Sequence, residues 1–214
     1  MLSLVVAYLL GSTPFAYLIS RLKGIDIRQV GDRNVGSVNV FRHVGLVAGV
    51  TTLIADIGKG ALAVTAARAL SGEWLLWYLA GGTAVAGHNW PAFLRFHGGR
   101  GVGPMIGALL ILIPREMSIT LGLAAVPLFV ARNMIWCGVA LFIPLPLLCW
   151  LFREPTSLLA YSMALPCLSG FAHWLTTRRL SPEAQREAEM FWIASEVNHE
   201  EHSTDGNPYR NQTR

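Results

Sequence analysis

Apolar runs about as long as a bilayer is thick recur along this chain, and nothing else in the sequence restricts its fold as strongly. Crossing roughly 30 Å of hydrocarbon takes ~20 residues of helix. Residues 2–22, 46–70 and 74–94 each reach about that length. The charged fraction agrees: 14% of the 214 residues are Asp, Glu, Lys or Arg, against about 25% in soluble domains. The expected class is all-α, a polytopic integral membrane protein of about seven transmembrane helices with glycine-rich loops facing the cytoplasm. Residues 1–180 would form one membrane domain, and residues 181–214 a polar cytoplasmic tail, partly disordered for want of apolar material to bury. A short amphipathic helix over 182–197 is expected there.

The first run has no basic region ahead of it and no small-residue cleavage site, so it reads as a retained span and not a signal peptide. Gly11, Ser12 and Pro14 interrupt it. A break at that depth survives only where neighbouring helices or polar side chains satisfy the freed carbonyls, so close packing and a kink are expected. In 46–70, Asp56 and Lys59 are three residues apart, on one helical face where they can neutralise each other. Such a pair is equally consistent with a structural and a functional role. Further spans are expected at 102–114 and 117–131, joined by a tight turn at Pro114, Arg115 and Glu116, and at 134–151 and 157–175. Cys137, Cys149 and Cys167 are odd in number, lie in apolar segments and lack metal-ligand spacing, which predicts buried thiols, no disulfide framework and no metal site. His199 and His202 form HEEH, which is not the zinc-binding HExxH order.

Seven crossings would collect Arg21, Lys23, Arg28, Arg33, Arg42, Arg95, Arg100, Arg132, Arg178 and Arg179 on one side, leaving Arg68, Arg115 and Arg153 on the other. The positive-inside rule then places the first side in the cytoplasm and the N-terminus outside. A net charge of +4 distributed in this way orients a membrane protein and argues against a nucleic-acid face.

Two stretches do not belong in hydrocarbon. Residues 24–45, GIDIRQVGDRNVGSVNVFRHVG, and residues 87–103, GHNWPAFLRFHGGRGVG, combine glycines, amides and arginines. Backbone N–H groups in glycine-permitted turns converge on phosphate oxygens, and an arginine fork takes two of them. For any single residue a solvated basic loop is the more ordinary reading; two such stretches on one membrane face point to a shared anion pocket. Apolar helices beside such a pocket suit a lipid chain, and joining the two chemistries is acyl transfer. No strand-GxxxxGK[ST]-helix motif is present, which argues against an ATP-driven pump.

The segments GSTPFAYLISRLKGIDIRQVGDRNVGSVNVFRHVG, ADIGKG and AGHNWPAFLRFHGGRGVG, in that order, resemble the signature segments of the bacterial acyl-phosphate:glycerol-3-phosphate acyltransferases, the PlsY family. The resemblance implies a seven-helix protein of the bacterial cytoplasmic (inner) membrane that acylates the sn-1 hydroxyl of glycerol 3-phosphate from an acyl phosphate. Lysophosphatidic acid and phosphate result, with no metal and no dissociable cofactor. Its partners would be glycerol 3-phosphate, the acyl phosphate, membrane lipid and a soluble acyl-phosphate synthase. It also implies that Gly31, Asn34, Gly36, Ser37, Asn39 and Arg42 bind phosphate together with Gly98, Gly99 and Arg100, and that His88, His173 and Arg42 act in catalysis. The chain is a divergent member: Asp32-Arg33 stand where the family has Ser-Gly, Ser37-Val38 where it has Ala-Thr, Arg100 where it has lysine, Gly138 where it has serine and Thr176 where it has asparagine. An anion at position 32 opposes anion binding unless a cation, Arg33 being the adjacent one, neutralises it. Either the substrate phosphate or a histidine could serve as base. The alternatives are a paralogue with another polar acceptor or no activity, and a small transporter with Asp56 and Lys59 on an ion path.

Overall fold

The computed structural model describes residues 1–130 and 134–177, and among these all regular structure is helical. The tail, with its expected short helix and its HEEH, lies outside the described residues. The first apolar run is two helices, α1 (Leu2–Ser12) and α2 (Phe15–Arg21), parted at Thr13 and Pro14 as the sequence predicts. The polar stretch that follows is more ordered than a loop: it holds one 3-10 turn (Ile27–Gln29) and the two-turn helix α3 (Ser37–His43). Helix α4 (Leu46–Leu70) matches the second run end to end. Helix α5 (Trp74–Asn89) stops five residues short of the expected span, and Ala92–Leu94 forms a separate 3-10 turn.

The turn expected at 114–116 needs correction. Helix α6 (Val102–Leu112) is parted from α7 (Pro114–Phe129) by Ile113 alone. Pro114 opens α7, where its missing N–H is one of the helix's unbonded donors anyway, so Arg115 and Glu116 are helical. The next run is split into α8 (Met134–Phe142) and α9 (Pro144–Leu151) by a proline, while Ile143 keeps helical dihedrals between them. Helix α10 (Thr156–Thr177) completes the described chain. The cysteines also differ from expectation: all three are free thiols, but only Cys149 is buried, Cys137 is partly so and Cys167 is exposed.

Burial runs opposite to that of a water-soluble bundle. Helix α1 turns Ser3, Ala7, Gly11 and Ser12 inward while Leu2, Val5 and Leu9 face out. Helix α4 buries Thr52, Asp56, Lys59, Gly60 and Ala63 and exposes Val47, Ile54 and Leu62. Lipid offers apolar side chains a solvent as good as the core, so close backbone approach and polar contacts select the interior face. A Cβ added at Gly60 would overlap the Pro104 carbonyl, and one at Gly107 the Ile57 carbonyl, so α4 and α6 meet backbone to backbone. Among the described residues, two helical segments are long and apolar enough to cross a bilayer, Leu2–Arg21 taken through its break and Leu46–Leu70. An apolar cluster from Met105, Leu109, Met117 and Leu145 fills the second half. Smaller, and more telling for the site, is a cluster of Ala16, Ile27, Val35, Val40, Ala48 and Leu94, which draws on both polar stretches and on the helices beneath them.

Candidate active site

The α1–α2 break makes one wall of the site. Pro14 cannot donate, and the chain at Thr13 turns extended, so carbonyls that a continuous helix would bond point elsewhere. Lys59 Nζ donates to the Thr13 carbonyl at 3.1 Å. The same ammonium lies 2.8 Å from Asp56 Oδ1, on the one helical face the spacing predicts. His88, at the end of α5, brings Nδ1 to 3.6 Å from that oxygen, beyond hydrogen-bond reach. Asp56 and Lys59 are each 3% exposed. These groups line a small pocket with Gly11 to Ala16, Val35, Gly98 and Gly99. The buried hydroxyl of Ser12 also belongs to this lining, and no hydrogen-bond partner for it exists among the described residues.

The first polar stretch is held by an amide. Asn39, 1% exposed, donates through Nδ2 to the carbonyls of Ile27, Val30 and Asn34 at 3.2, 3.1 and 3.0 Å. An NH₂ group has two protons, so one is shared, and a single side chain gathers three points of an irregular segment. Gly31 takes φ 58°, and a side chain there would run into Asn39 Oδ1 and the His43 ring. Asn34 donates its backbone N–H to Asp32 Oδ1 at 3.2 Å. Gly36 and Ser37 begin α3, with Arg42 in its last turn. Burial lowers the Arg42 pKa from its ordinary value, and the charge of Asp32 opposes that shift.

The second stretch folds back on α5: Gly98 and Gly99 donate N–H groups to the carbonyls of Asn89 and His88 at 3.2 and 3.1 Å. Gly99 rests against the His88 ring and the Val35 carbonyl, so a Cβ there has no room. The two stretches therefore touch, and an ion pair joins them. Arg100 Nη2 lies 2.9 Å from Asp32 Oδ2, 68 positions away in sequence. The cation paired with Asp32 is thus found across the site, beyond the adjacent Arg33 considered from sequence. From α10, the Ser169 hydroxyl donates to the Arg100 carbonyl.

Of the candidate residues, His88, Gly98 and Gly99 line the pocket, and Arg100 adjoins it. Gly31, Asn34, Gly36, Ser37, Asn39 and Arg42 stand outside that lining. His173 lies on α10 four residues past Ser169; its side chain and that of Thr176 are outside the described residues. Gly138 has open space around it, and a side chain there would meet nothing within 4 Å. Sequence reasoning left Ser12, Asp56 and Lys59 out of the candidate set, although the Gly-Ser-Thr-Pro break and the three-residue spacing both pointed to them. No group of three or more His, Cys, Asp or Glu suited to a metal occurs among the described residues.

Proteins of known kind resemble this chain in sequence and in fold. Glycerol-3-phosphate acyltransferase 1 of Dehalococcoides mccartyi is 45% identical over 159 residues, 70% of this chain and 75% of that one. Glycerol-3-phosphate acyltransferase 4 of the same organism is 37% identical over 182 residues, 84% and 97% of the two chains. The crystal structure of PlsY, an integral membrane glycerol 3-phosphate acyltransferase, in its glycerol 3-phosphate form superposes with a TM-score of 0.74 at 28% identity, covering 83% of this chain and 90% of that one. Its lysophosphatidic acid form gives 0.72 at 28% identity, over 83% and 89%. The chain is accordingly a helical membrane protein. Because the family profile described as Glycerol-3-phosphate acyltransferase matches residues 1–182, the chain belongs to that family.

Proposed function

We propose that this protein transfers the fatty acyl group of an acyl phosphate to the sn-1 hydroxyl of glycerol 3-phosphate, releasing lysophosphatidic acid and inorganic phosphate. The observation that carries this reading is the meeting of the two glycine-rich stretches beside one pocket, through Arg100 with Asp32 and Gly99 with Val35. Family membership and the substrate and product forms of the structural relatives support the same reaction. Seven crossings fit the helices: α1 with α2, α4, α5, α6, α7, α8 with α9, and α10. The arginine bias then puts the N-terminus outside the bacterial inner membrane, and the site and tail in the cytoplasm, where a soluble acyl-phosphate synthase would deliver the donor. Residues 1–180 act as the membrane acyltransferase domain.

An acyl phosphate is a mixed anhydride and needs no covalent enzyme intermediate. The acceptor oxygen attacks the acyl carbon, the carbon–oxygen bond to phosphate breaks, and the hydroxyl proton ends on the departing phosphate, directly or by way of His88 or His173. The protein's task is alignment and charge stabilisation. Arg42 and Arg100 hold phosphate groups, and the backbone of 31–39 and of 98–99 shapes the cradle. Asn39 contributes by fixing that backbone through its three carbonyl contacts. Lys59 and Asp56 set the charge at the pocket floor, next to His88.

Purified protein incubated with a long-chain acyl phosphate and labelled glycerol 3-phosphate is expected to form labelled lysophosphatidic acid and one equivalent of phosphate. Arg42→Ala should lower kcat/KM by about 100-fold, the usual scale for losing a charge-assisted contact to phosphate. Turnover of the acyl phosphate with a different phosphorylated acceptor and none with glycerol 3-phosphate would overturn the choice of acceptor.

A further inference from the structure

The carboxylate of Asp32 sits where an anion-binding site should have least use for one. Its side chain is 3% exposed, against 24% for its partner Arg100. Both oxygens are engaged: Oδ1 accepts from the Asn34 backbone N–H at 3.2 Å, and Oδ2 lies 2.9 Å from Arg100 Nη2. Asp32 also acts on Arg42, whose charged form it favours against burial. One carboxylate thus addresses a guanidinium from each glycine-rich stretch. The pocket floor repeats the pattern, with Lys59 matched to Asp56. Every approach of a phosphate to these cations is an approach to a cation that already has a carboxylate.

We propose that Asp32 is an internal competitor for phosphate, a positioning and specificity-determining residue that holds Arg100 while the site is empty and weakens its grip on a bound phosphate. The proposal rests on the reading that Arg100 faces a substrate phosphate. Because Asp32 is anchored by its own turn, it stays close to Arg100 when an anion arrives, and the guanidinium then divides its attraction between two anions. The consequence falls on the step in which inorganic phosphate leaves: an arginine fork binds phosphate in two-point fashion, and a fixed carboxylate beside it shortens the residence of the product. A tie whose only purpose was to fasten the two stretches would instead affect stability and leave anion affinity alone.

The test uses the full-length protein in detergent, with inorganic phosphate as inhibitor and the KM of each substrate measured separately. Asp32→Asn keeps an acceptor for the Asn34 N–H and removes the charge. It is expected to lower the inhibition constant of inorganic phosphate by about tenfold, the order of effect of one nearby charge in a partly buried site. The KM of whichever substrate has its phosphate at Arg100 falls with it, and kcat falls as release slows. Asp32→Glu, which restores the carboxylate, should return the inhibition constant to within about threefold of the native value. An unchanged or raised inhibition constant in Asp32→Asn, with thermal unfolding like that of the native protein, overturns the proposal. So does a variant that is less stable and slower with no change in phosphate inhibition. If Asp32→Asn fails to fold, Asp32→Ser is read in the same way. Arg100→Gln separates the two layers: weaker phosphate inhibition there with no tightening in Asp32→Asn sinks the competition alone. No change in Arg100→Gln sinks the assignment of Arg100, and the proposal with it.

Discussion

Asp56–Lys59 and Asp32–Arg100 are both carboxylate–cation pairs at one site, yet they belong to different kinds of structure. The first is internal to a helix, three residues apart, with both side chains nearly sealed. The second bridges two irregular stretches, and its arginine side chain is a quarter exposed. In a bilayer the sealed pair is what permits two charges at that depth at all, since each alone carries a heavy desolvation cost. In the bridging pair only the arginine reaches water, the Asp32 carboxylate being as sealed as Asp56, so the cation can turn to another anion and the pair's value lies in geometry and ligand competition. Both inner charges at this site are therefore obligatory, and the outer cation is adjustable.

Breaking the inner pair should produce the largest effect. Lys59→Met leaves the Asp56 carboxylate buried and alone and removes the donor to the Thr13 carbonyl. A cost of ~3–5 kcal/mol is expected, seen as a fall of about 10 °C or more in the thermal midpoint in detergent. The double variant Asp56→Asn with Lys59→Met should regain more than half of that loss, because an orphaned charge and not a missing bond dominates the cost. Equal midpoints for the single and the double variant would erase the distinction between obligatory and adjustable charge.

The same contrast explains how far the sequence could be read. Helical period alone puts residues 56 and 59 on one face, so the inner pair was legible, as was the break at Pro14 that presents a carbonyl to Lys59. Helix α4 was legible to the residue because hydrophobic length sets it. Position 32 meets position 100 only after the chain has crossed α4 and α5 and the second stretch has folded back through the carbonyls of His88 and Asn89. No local rule encodes that path, so a sequence reading turned to the neighbouring Arg33. Asn39 shows the same limit: an amide in a glycine-rich stretch looks like a ligand to anions, and only the fold reveals the three backbone carbonyls around it. The α6–α7 junction failed differently, since Pro114 reads as a breaker whether it ends a helix or begins one.

Asn39 offers the middle-sized test, one that sharpens the contrast by loosening the outer pair without touching its charges. Asn39→Ala removes the shared donor and leaves the buried Ile27 carbonyl and the half-buried Val30 and Asn34 carbonyls short of a partner, a loss of ~1–3 kcal/mol. Because the damage is confined to 24–45, hydrogen exchange there should quicken while α4 stays protected. Acyl transfer should fall as well, since Asp32 loses its fixed distance to Arg100. Uniform quickening across α4 would mean that the outer stretch is not separable from the inner frame.

The smallest effect belongs to a third pair, farther out still. Arg28 donates to Asp26 at 2.9 and 2.7 Å and lies over the Tyr17 ring at 4.5 Å. The Arg28 hydrogen bond lowers the Asp26 pKa from 3.8 to about 2. A depressed carboxylate pKa adds stability above the unfolded value and gives it up as pH falls through the folded one, so any contribution is complete above about pH 5 and disappears between pH 4 and pH 2. Water screens a pair so placed, and ~0–1 kcal/mol is the expected scale. Asp26→Asn should therefore shift the thermal midpoint at neutral pH by about 4 °C at most, and 0.5 M salt should remove most of that shift. A shift as large as that of Lys59→Met would place Asp26 among the obligatory charges and break the ordering from floor to rim.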